Sequence, residues 1–179
     1  TQTLNHIQAR LDQFFAPITH TLQIARSWGQ AGLLNLEHPD ALTKLFQPII
    51  REHTHVSSAL VADSRGQEFL LLKRPDRWVN RLTQREKWGP KSKWAEWEVQ
   101  RPNDLEYEWL ELDYDPRLRP WFQGATLRYK QMQTVPDLFA SAEGIHWTAP
   151  YTFFTTREPG ITAAVTYEDT GSVTRVIGV

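Results

Sequence analysis

Apolar residues recur at spacings of three and four from Leu4 to Trp28, which is the period of an amphipathic helix. The repeating positions are Leu4, Ile7, Leu11, Phe14, Ile18, Leu22, Ala25 and Trp28. Pro17 predicts a kink, because the periodicity continues on both sides of it. Gly29 and Gly32 predict the C-terminal end of this helix. The pattern therefore predicts one long helix with an apolar stripe.

A second helix is predicted from Pro39 to Glu52, since proline suits the first turn of a helix. Its apolar face consists of Leu42, Leu45, Phe46, Ile49 and Ile50. Pro48 lies within this segment and predicts a bend.

From Val56 the pattern changes to that of strands. The segments 56–62 and 68–73 flank 63–66, whose Asp, Ser and Gly residues are typical of a turn, so they predict a hairpin. Further strands are predicted at 78–82, 94–99, 107–112, 145–148, 151–155, 161–167 and 173–179. Turns are predicted at 157–160 and 168–171.

A third helix is predicted to begin near Asp115, with Pro116 in its first turn, or one turn later at Pro120, and to continue through Lys130. The order of two helices, strands, one helix and antiparallel strands predicts an α+β fold. We expect one domain over 1–179, with a stalk helix at 1–32 and a core at 33–179.

Composition narrows the function classes. The chain of 179 residues has a net charge of −1, which argues against a dedicated nucleic-acid surface. It contains no cysteine, which excludes disulfides, thiol catalysis and thiolate metal sites. No apolar run approaches the roughly 20 residues that cross a bilayer.

No catalytic motif is present. The chain has no Gly-x-Ser-x-Gly elbow, phosphate-binding glycine loop or His-Glu-x-x-His motif. His53 and His55 lie two residues apart at a helix-to-strand junction. Solvent exposure is a simpler interpretation of this pair than metal binding. The sequence therefore predicts a non-enzymatic domain with no catalytic residue, cofactor or metal.

The segment Tyr114-Asp-Pro-Arg-Leu-Arg-Pro-Trp-Phe122 combines a helix start with two arginines and adjacent aromatic residues. Arg119 offers a planar guanidinium to a carboxylate, and Trp121 and Phe122 offer apolar walls. The alternative is structural: Asp115 caps the helix, the arginines pair with surface acids, and Trp121 is part of the core. Local chemistry leaves both interpretations open.

This segment, followed by Trp147-Thr-Ala-Pro-Tyr-Thr152 and a Gly-Ile-Thr-Ala-Ala-Val strand, resembles the Cache superfamily of extracytoplasmic sensors. The resemblance is to the membrane-distal module of double-Cache (PDC) receptors. It implies a PAS-like antiparallel sheet packed on a long N-terminal helix. It also implies a periplasmic location in an inner-membrane histidine kinase, nucleotide or diguanylate cyclase, or chemoreceptor. The implied ligands are amino acids, organic acids, amines and similar small molecules.

The resemblance assigns ligand-binding residues. Tyr114, Arg119, Trp121 and Tyr151 match positions that bind ligand in amino-acid-binding members, with Arg119 at the carboxylate. Phe122 stands where those members have tyrosine, so one hydroxyl is missing. The aspartate that binds the ligand amine would follow Val179, so the resemblance covers carboxylate recognition and not amine recognition. Weaker ligand-binding candidates are Trp94, Asp137 and Trp147.

Two other functions fit the pattern. The first is a ligand-free dimerisation or protein-interaction module, since the long amphipathic helix suits a homodimer. The second is a tryptophan-rich carbohydrate-binding domain, which predicts a row of exposed tryptophans on one sheet face, with Trp88, Trp94 and Trp97 as the candidates.

Overall fold

The computed structural model describes residues 2–98, 105–135 and 144–179. Its first two helices are α1 (Gln2–Gln30) and α2 (Pro39–Glu52), as predicted, and each contains an internal proline. Helix α2 begins at Pro39 and buries Leu42, Phe46 and Ile50, three positions that share one side of the helix.

The main sheet is antiparallel and has eight strands in the order β5-β4-β3-β2-β1-β10-β9-β6. Their bounds are β1 (Ser58–Asp63), β2 (Gln67–Lys73), β3 (Arg77–Gln84), β4 (Lys91–Glu98), β5 (Glu108–Glu111), β6 (Ile145–Trp147), β9 (Ala163–Glu168) and β10 (Thr174–Gly178). The predicted β1–β2 hairpin is confirmed. The last strand, β10, pairs with the first strand, β1, near the middle of the sheet.

A separate two-stranded ribbon is formed by β7 (Tyr151–Thr152) and β8 (Pro159–Gly160). The predicted strand 151–155 is therefore wrong in its length. The chain turns earlier, because Phe153 N–H donates to the Glu158 carbonyl at 2.9 Å and Arg157 N–H donates to the Phe153 carbonyl at 3.0 Å. The predicted turn at 157–160 is displaced in the same way. We call residues 151–160 the hairpin.

The sequence predicts one further helical element in part and misses another. A 3-10 turn at Pro116–Leu118 precedes α4 (Pro120–Thr134), so the predicted start near Asp115 and the later start at Pro120 both mark helical structure. The short helix α3 (Arg85–Trp88) was not predicted, because four residues show no apolar period.

The sheet separates two apolar cores. On one face, α1 and α2 cover a core that includes Leu22, Phe46, Phe69 and Trp78. On the other face, α4 covers a smaller core of buried residues: Leu60, Ala62, Leu70, Leu72, Val79, Trp121, Phe122, Ala125, Ala164 and Val176. Alternation along β1 and β2 divides their side chains between the two cores. The α+β fold, an antiparallel sheet packed on a long N-terminal helix, is confirmed. Within the described ranges, no helix is both long and apolar enough to cross a membrane.

Candidate ligand-binding site

A cavity of about 40 Å³ lies on the α4 face of the sheet, under the hairpin. Its apolar floor consists of Leu60 of β1, Leu70 and Leu72 of β2, and Trp121 of α4. Leu60 and Leu70 are cross-strand partners, so both point to this face.

A buried ion pair stands beside the floor. Glu68 and Arg81 expose 2% and 1% of their surface. Arg81 Nε and Nη2 donate to Glu68 Oε1 at 3.1 and 2.8 Å. The second carboxylate oxygen, Glu68 Oε2, accepts a hydrogen bond of 2.6 Å from the Tyr114 hydroxyl. The Arg81 guanidinium also lies 3.7 Å from the centroid of the Tyr114 ring.

These contacts set the protonation states of Tyr114 and Arg81. Burial, followed by the Glu68 charge, raises the pKa of Tyr114 well above its usual value, so Tyr114 remains a neutral donor. Burial opposes the charge on Arg81, but the attraction of Glu68 leaves the pKa of Arg81 raised. Arg81 therefore keeps its charge at neutral pH.

Arg119 lies at the cavity wall and is partly exposed. Its Nη2 donates to the Thr152 carbonyl at 3.0 Å. Its guanidinium lies 5.6 Å from the Tyr151 ring centroid and 6.0 Å from that of Phe154. Among the described residues, its contacts are thus a carbonyl and two rings and not a carboxylate.

The hairpin covers the cavity and is held by both arginines. Arg81 Nη1 donates to Thr155 Oγ1 at 2.7 Å, while Arg119 bonds to Thr152. The Tyr151 hydroxyl shares a hydrogen bond of 2.8 Å with Thr162 Oγ1, and burial raises the pKa of Tyr151. The hairpin lines the cavity with Tyr151, Phe153, Phe154, Thr155 and Thr156.

Four of the predicted ligand-binding residues, Tyr114, Arg119, Trp121 and Tyr151, meet at this one cavity. Phe122 lies beside Trp121 in the core, with ring centroids 5.7 Å apart, and is outside the lining. The second arginine of the motif, Arg117, pairs with Asp115 at 2.8 Å, and Asp115 also accepts from the Arg117 N–H. Asp115 therefore caps the helical turn, as the structural interpretation held.

The weaker candidates do not join the cavity. Trp94 packs against the α4-side core, and its Nε1 donates to Glu96 at 3.0 Å. Trp147 lies on the opposite face, with its ring centroid 4.7 Å from that of Phe15. Asp137 lies outside the described residues.

Sequence reasoning missed Glu68 and Arg81. A signal was present, because Glu68 alternates with Leu70 and Leu72 and therefore shares their inward face. A charged residue at an inward position predicts a buried partner.

The predicted row of Trp88, Trp94 and Trp97 is wrong. Trp94 packs on the α4-side core and Trp97 on the opposite core, because three positions along a strand reverse the face. Trp88 instead meets Trp109 edge to face at 5.0 Å, with Lys93 Nζ near both rings. The ring centroids of His53 and His55 lie 6.0 Å apart. The described residues contain no group of three or more metal-ligating side chains.

No family model and no curated protein matches the sequence. The solved structures similar to the chain include the ligand-binding domain of the Campylobacter jejuni chemoreceptor Tlp3 in complex with 4-methylisoleucine. That likeness has 14% identity and a TM-score of 0.47, and covers 99% of this chain and 52% of that one.

Two others are the ligand-binding domain of the Pseudomonas fluorescens chemoreceptor CtaA in complex with L-serine and with L-valine. Their identities are 17% and 18%, each with a TM-score of 0.42. Both matches cover 99% of this chain; the L-serine complex is covered to 58% of its length and the L-valine complex to 61%. The chain thus spans about half to three-fifths of the length of these structures.

Proposed function

We propose that this chain is a small-molecule sensing domain that binds a ligand bearing a carboxylate. One observation carries the proposal: Tyr114, Arg119, Trp121 and Tyr151 converge on a single cavity. Arg119 supplies the charge, because a guanidinium binds a carboxylate through parallel N–H donors. The sequence resemblance to Cache sensors supports the same role.

In this proposal the domain belongs to the extracytoplasmic part of a membrane receptor and has no catalytic role of its own. The receptor is a histidine kinase, a nucleotide or diguanylate cyclase, or a chemoreceptor. Residues 1–32 form the stalk helix and 33–179 the sensor core.

Ligand binding begins with an exchange of partners at Arg119. The ligand carboxylate replaces the Thr152 carbonyl on Nη2, which exchanges a neutral acceptor for a charged one. The hairpin loses one of its attachments in this exchange. Its position therefore depends on ligand occupancy, and a difference in affinity between the two positions sets the signal.

The proposal is tested by calorimetry with libraries of carboxylic acids, amino acids and amines. We expect a carboxylate-bearing compound to bind the wild type, and Arg119→Gln to weaken that binding at least about ten-fold, since a charge-assisted hydrogen bond is lost. Arg157→Gln is the matched control. Arg157 belongs to the same hairpin and stacks 4.9 Å from Phe154, but it is exposed and outside the lining.

Binding that is equal in Arg119→Gln and wild type would contradict the proposed site. Absence of binding by every compound would favour the second candidate function, a ligand-free dimerisation module. One observation favours that function: α1 exposes Leu11, Phe14 and Ile24 by 50%, 47% and 52%. In the sensing domain, the same residues are proposed to form a homodimer through the first helix.

A further inference from the structure

The cavity under the hairpin is much smaller than the sites that small molecules usually occupy. Its volume is about 40 Å³. Ligand pockets in proteins commonly enclose about 300–1,000 Å³. Part of the cavity wall must therefore move outward before a ligand of several non-hydrogen atoms fits.

The parts of the wall differ in their freedom to move. The floor belongs to β1 and β2, and each of these strands is paired on both of its sides. Trp121 of α4 is 1% exposed and packs in the core on this face. Among the described residues, the hairpin strands pair with each other and not with the main sheet. The hairpin can thus move without breaking a ladder of that sheet.

The two ends of the hairpin are held differently. We call residues 151–152 and 159–160 its base and residues 154–157 its tip. At the base, Tyr151 pairs with Gly160, and the Tyr151 hydroxyl shares a hydrogen bond of 2.8 Å with Thr162 Oγ1. A Cβ at Gly160 would overlap the Phe153 ring, so the base is closely packed. The base is therefore suited to act as a hinge.

The tip is held by one strong hydrogen bond. Thr155 Oγ1 accepts from Arg81 Nη1 at 2.7 Å. Arg81 belongs to β3, where Glu68 accepts from its Nε and Nη2 and the Tyr114 ring centroid lies 3.7 Å from its guanidinium. These contacts fix the orientation of Arg81 from the sheet side. Thr155 thus meets a charged donor that is already aligned.

The second arginine of the wall holds the other end. Arg119 is partly exposed and donates to the Thr152 carbonyl at the base. In the proposed function, Arg119 exchanges this carbonyl for the ligand carboxylate. The bond from Arg81 to Thr155 takes no part in that exchange, so it continues to hold the tip.

We propose that the hairpin is a gate over the cavity, hinged at its base and latched at its tip by the hydrogen bond from Arg81 to Thr155. Both residues are positioning residues that control access to the cavity. Opening moves Thr155 away, and water replaces it as the acceptor of Arg81 Nη1. The opening is a property of the chain alone, whereas the passage of a ligand through the gate rests on the proposed function.

The test measures access to the floor with a single introduced thiol, because the chain has no cysteine. Leu70→Cys places the thiol in the floor, opposite Arg81 on the neighbouring strand. Leu71→Cys places it on the other face, in the core under the helices, where Leu71 is fully buried. The rate of reaction with dithiodipyridine, a neutral disulfide reagent, is followed by absorbance at constant pH.

Thr155→Val removes the hydroxyl at nearly constant volume. We expect it to raise the reaction rate of Leu70→Cys about ten-fold, since it breaks a hydrogen bond to a charged group. Thr155→Ser keeps the hydroxyl and should keep the slow rate. Thr152→Val is the matched control, because it makes the same change at an exposed position of the hairpin and retains the carbonyl that binds Arg119.

Three results would overturn the proposal. An unchanged rate of Leu70→Cys in the Thr155→Val background excludes the latch. Equal acceleration of Leu70→Cys and Leu71→Cys also excludes it, because the substitution then acts on global unfolding. Equal rates at these two positions with Thr155 unchanged exclude the gate itself. None of these results depends on a ligand, so calorimetry decides the proposed function separately.

Discussion

The Glu68–Arg81 pair shows what a single residue contributes in this fold. Two charges removed from water carry a large desolvation cost, which their attraction and added hydrogen bonds must offset. Here Tyr114 and Thr155 supply those bonds, one to each member of the pair. The pair is therefore sensitive to the loss of either partner.

We predict that Glu68→Leu lowers the free energy of unfolding by about 3–5 kcal/mol, because it leaves Arg81 buried without compensation. The double variant Glu68→Leu, Arg81→Met should regain most of that loss. Urea unfolding followed by tryptophan fluorescence measures both. Additive losses in the double variant would show that the two side chains do not stabilise the fold as a pair.

His146 provides a residue-scale prediction on pH. It packs against Gly124 of α4, where a Cβ would overlap the imidazole ring. Burial, and then the charge of Arg128, lower the pKa of His146 in the folded protein. The unfolded chain therefore binds this proton at a higher pH than the folded chain does. The contribution of His146 to stability is full above about pH 6.5 and is lost as pH falls from there to the lower pKa of the folded state.

We accordingly expect Tm to fall more steeply in the wild type than in His146→Gln when pH is lowered from 7.0 to 5.5. Thermal unfolding across this range measures the difference, with His20→Gln as a control at an exposed position on α1. Parallel curves for the wild type and His146→Gln would contradict the assignment.

At the scale of elements, helices α1 and α2 follow from the sequence because their apolar periods run over several turns, and Pro39 marks a boundary. The site follows only in part. Tyr114, Arg119 and Trp121 lie within one short motif, so their proximity is local. Arg81 pairs across the strands with Leu70 and Glu68 with Thr83, so the ion pair runs diagonally and depends on strand register. Sequence periodicity does not fix that register.

The packing of α1 on the sheet yields an element-scale prediction. Gly29 lies against Tyr167 of β9, and a Cβ at this position would overlap the Tyr167 ring. In a helix, Gly→Ala ordinarily stabilises by about 1 kcal/mol. We expect the reverse here, a lower Tm for Gly29→Ala, because the helix and the ring must separate. Gln13→Ala, at an exposed position of α1, is the control, and a higher Tm for Gly29→Ala would disprove the close contact.

At the scale of the molecule, the sheet connects the site with the helical layer. Leu60 and Leu70 form the cavity floor, while their strand neighbours Val61 and Leu71 pack beneath the helices. A displacement of β1 or β2 at the floor therefore reaches α2 through adjacent residues of the same strands, and reaches α1 through β10, which pairs with β1. The long first helix is the element that we propose to carry the signal onward.

We predict that the domain forms a concentration-dependent homodimer through α1 and that Leu11→Glu weakens it, since a charge would be buried at the interface. Sedimentation velocity over a hundred-fold range of concentration, about 1–100 μM, covers the affinities of weak dimers. Leu127→Glu is the matched control, because Leu127 is 58% exposed on α4. A monomer at all concentrations would exclude this role for α1.

The hairpin also bears on how such a domain diversifies. It supplies much of the cavity wall, yet its two short strands pair with each other and not with the eight-stranded sheet. In the described part of the chain, the ladders of that sheet use residues outside 151–160. If the proposed function holds, ligand preference can therefore change within this segment at little cost to strand pairing. Thr155 is the exception, because its hydroxyl accepts from buried Arg81.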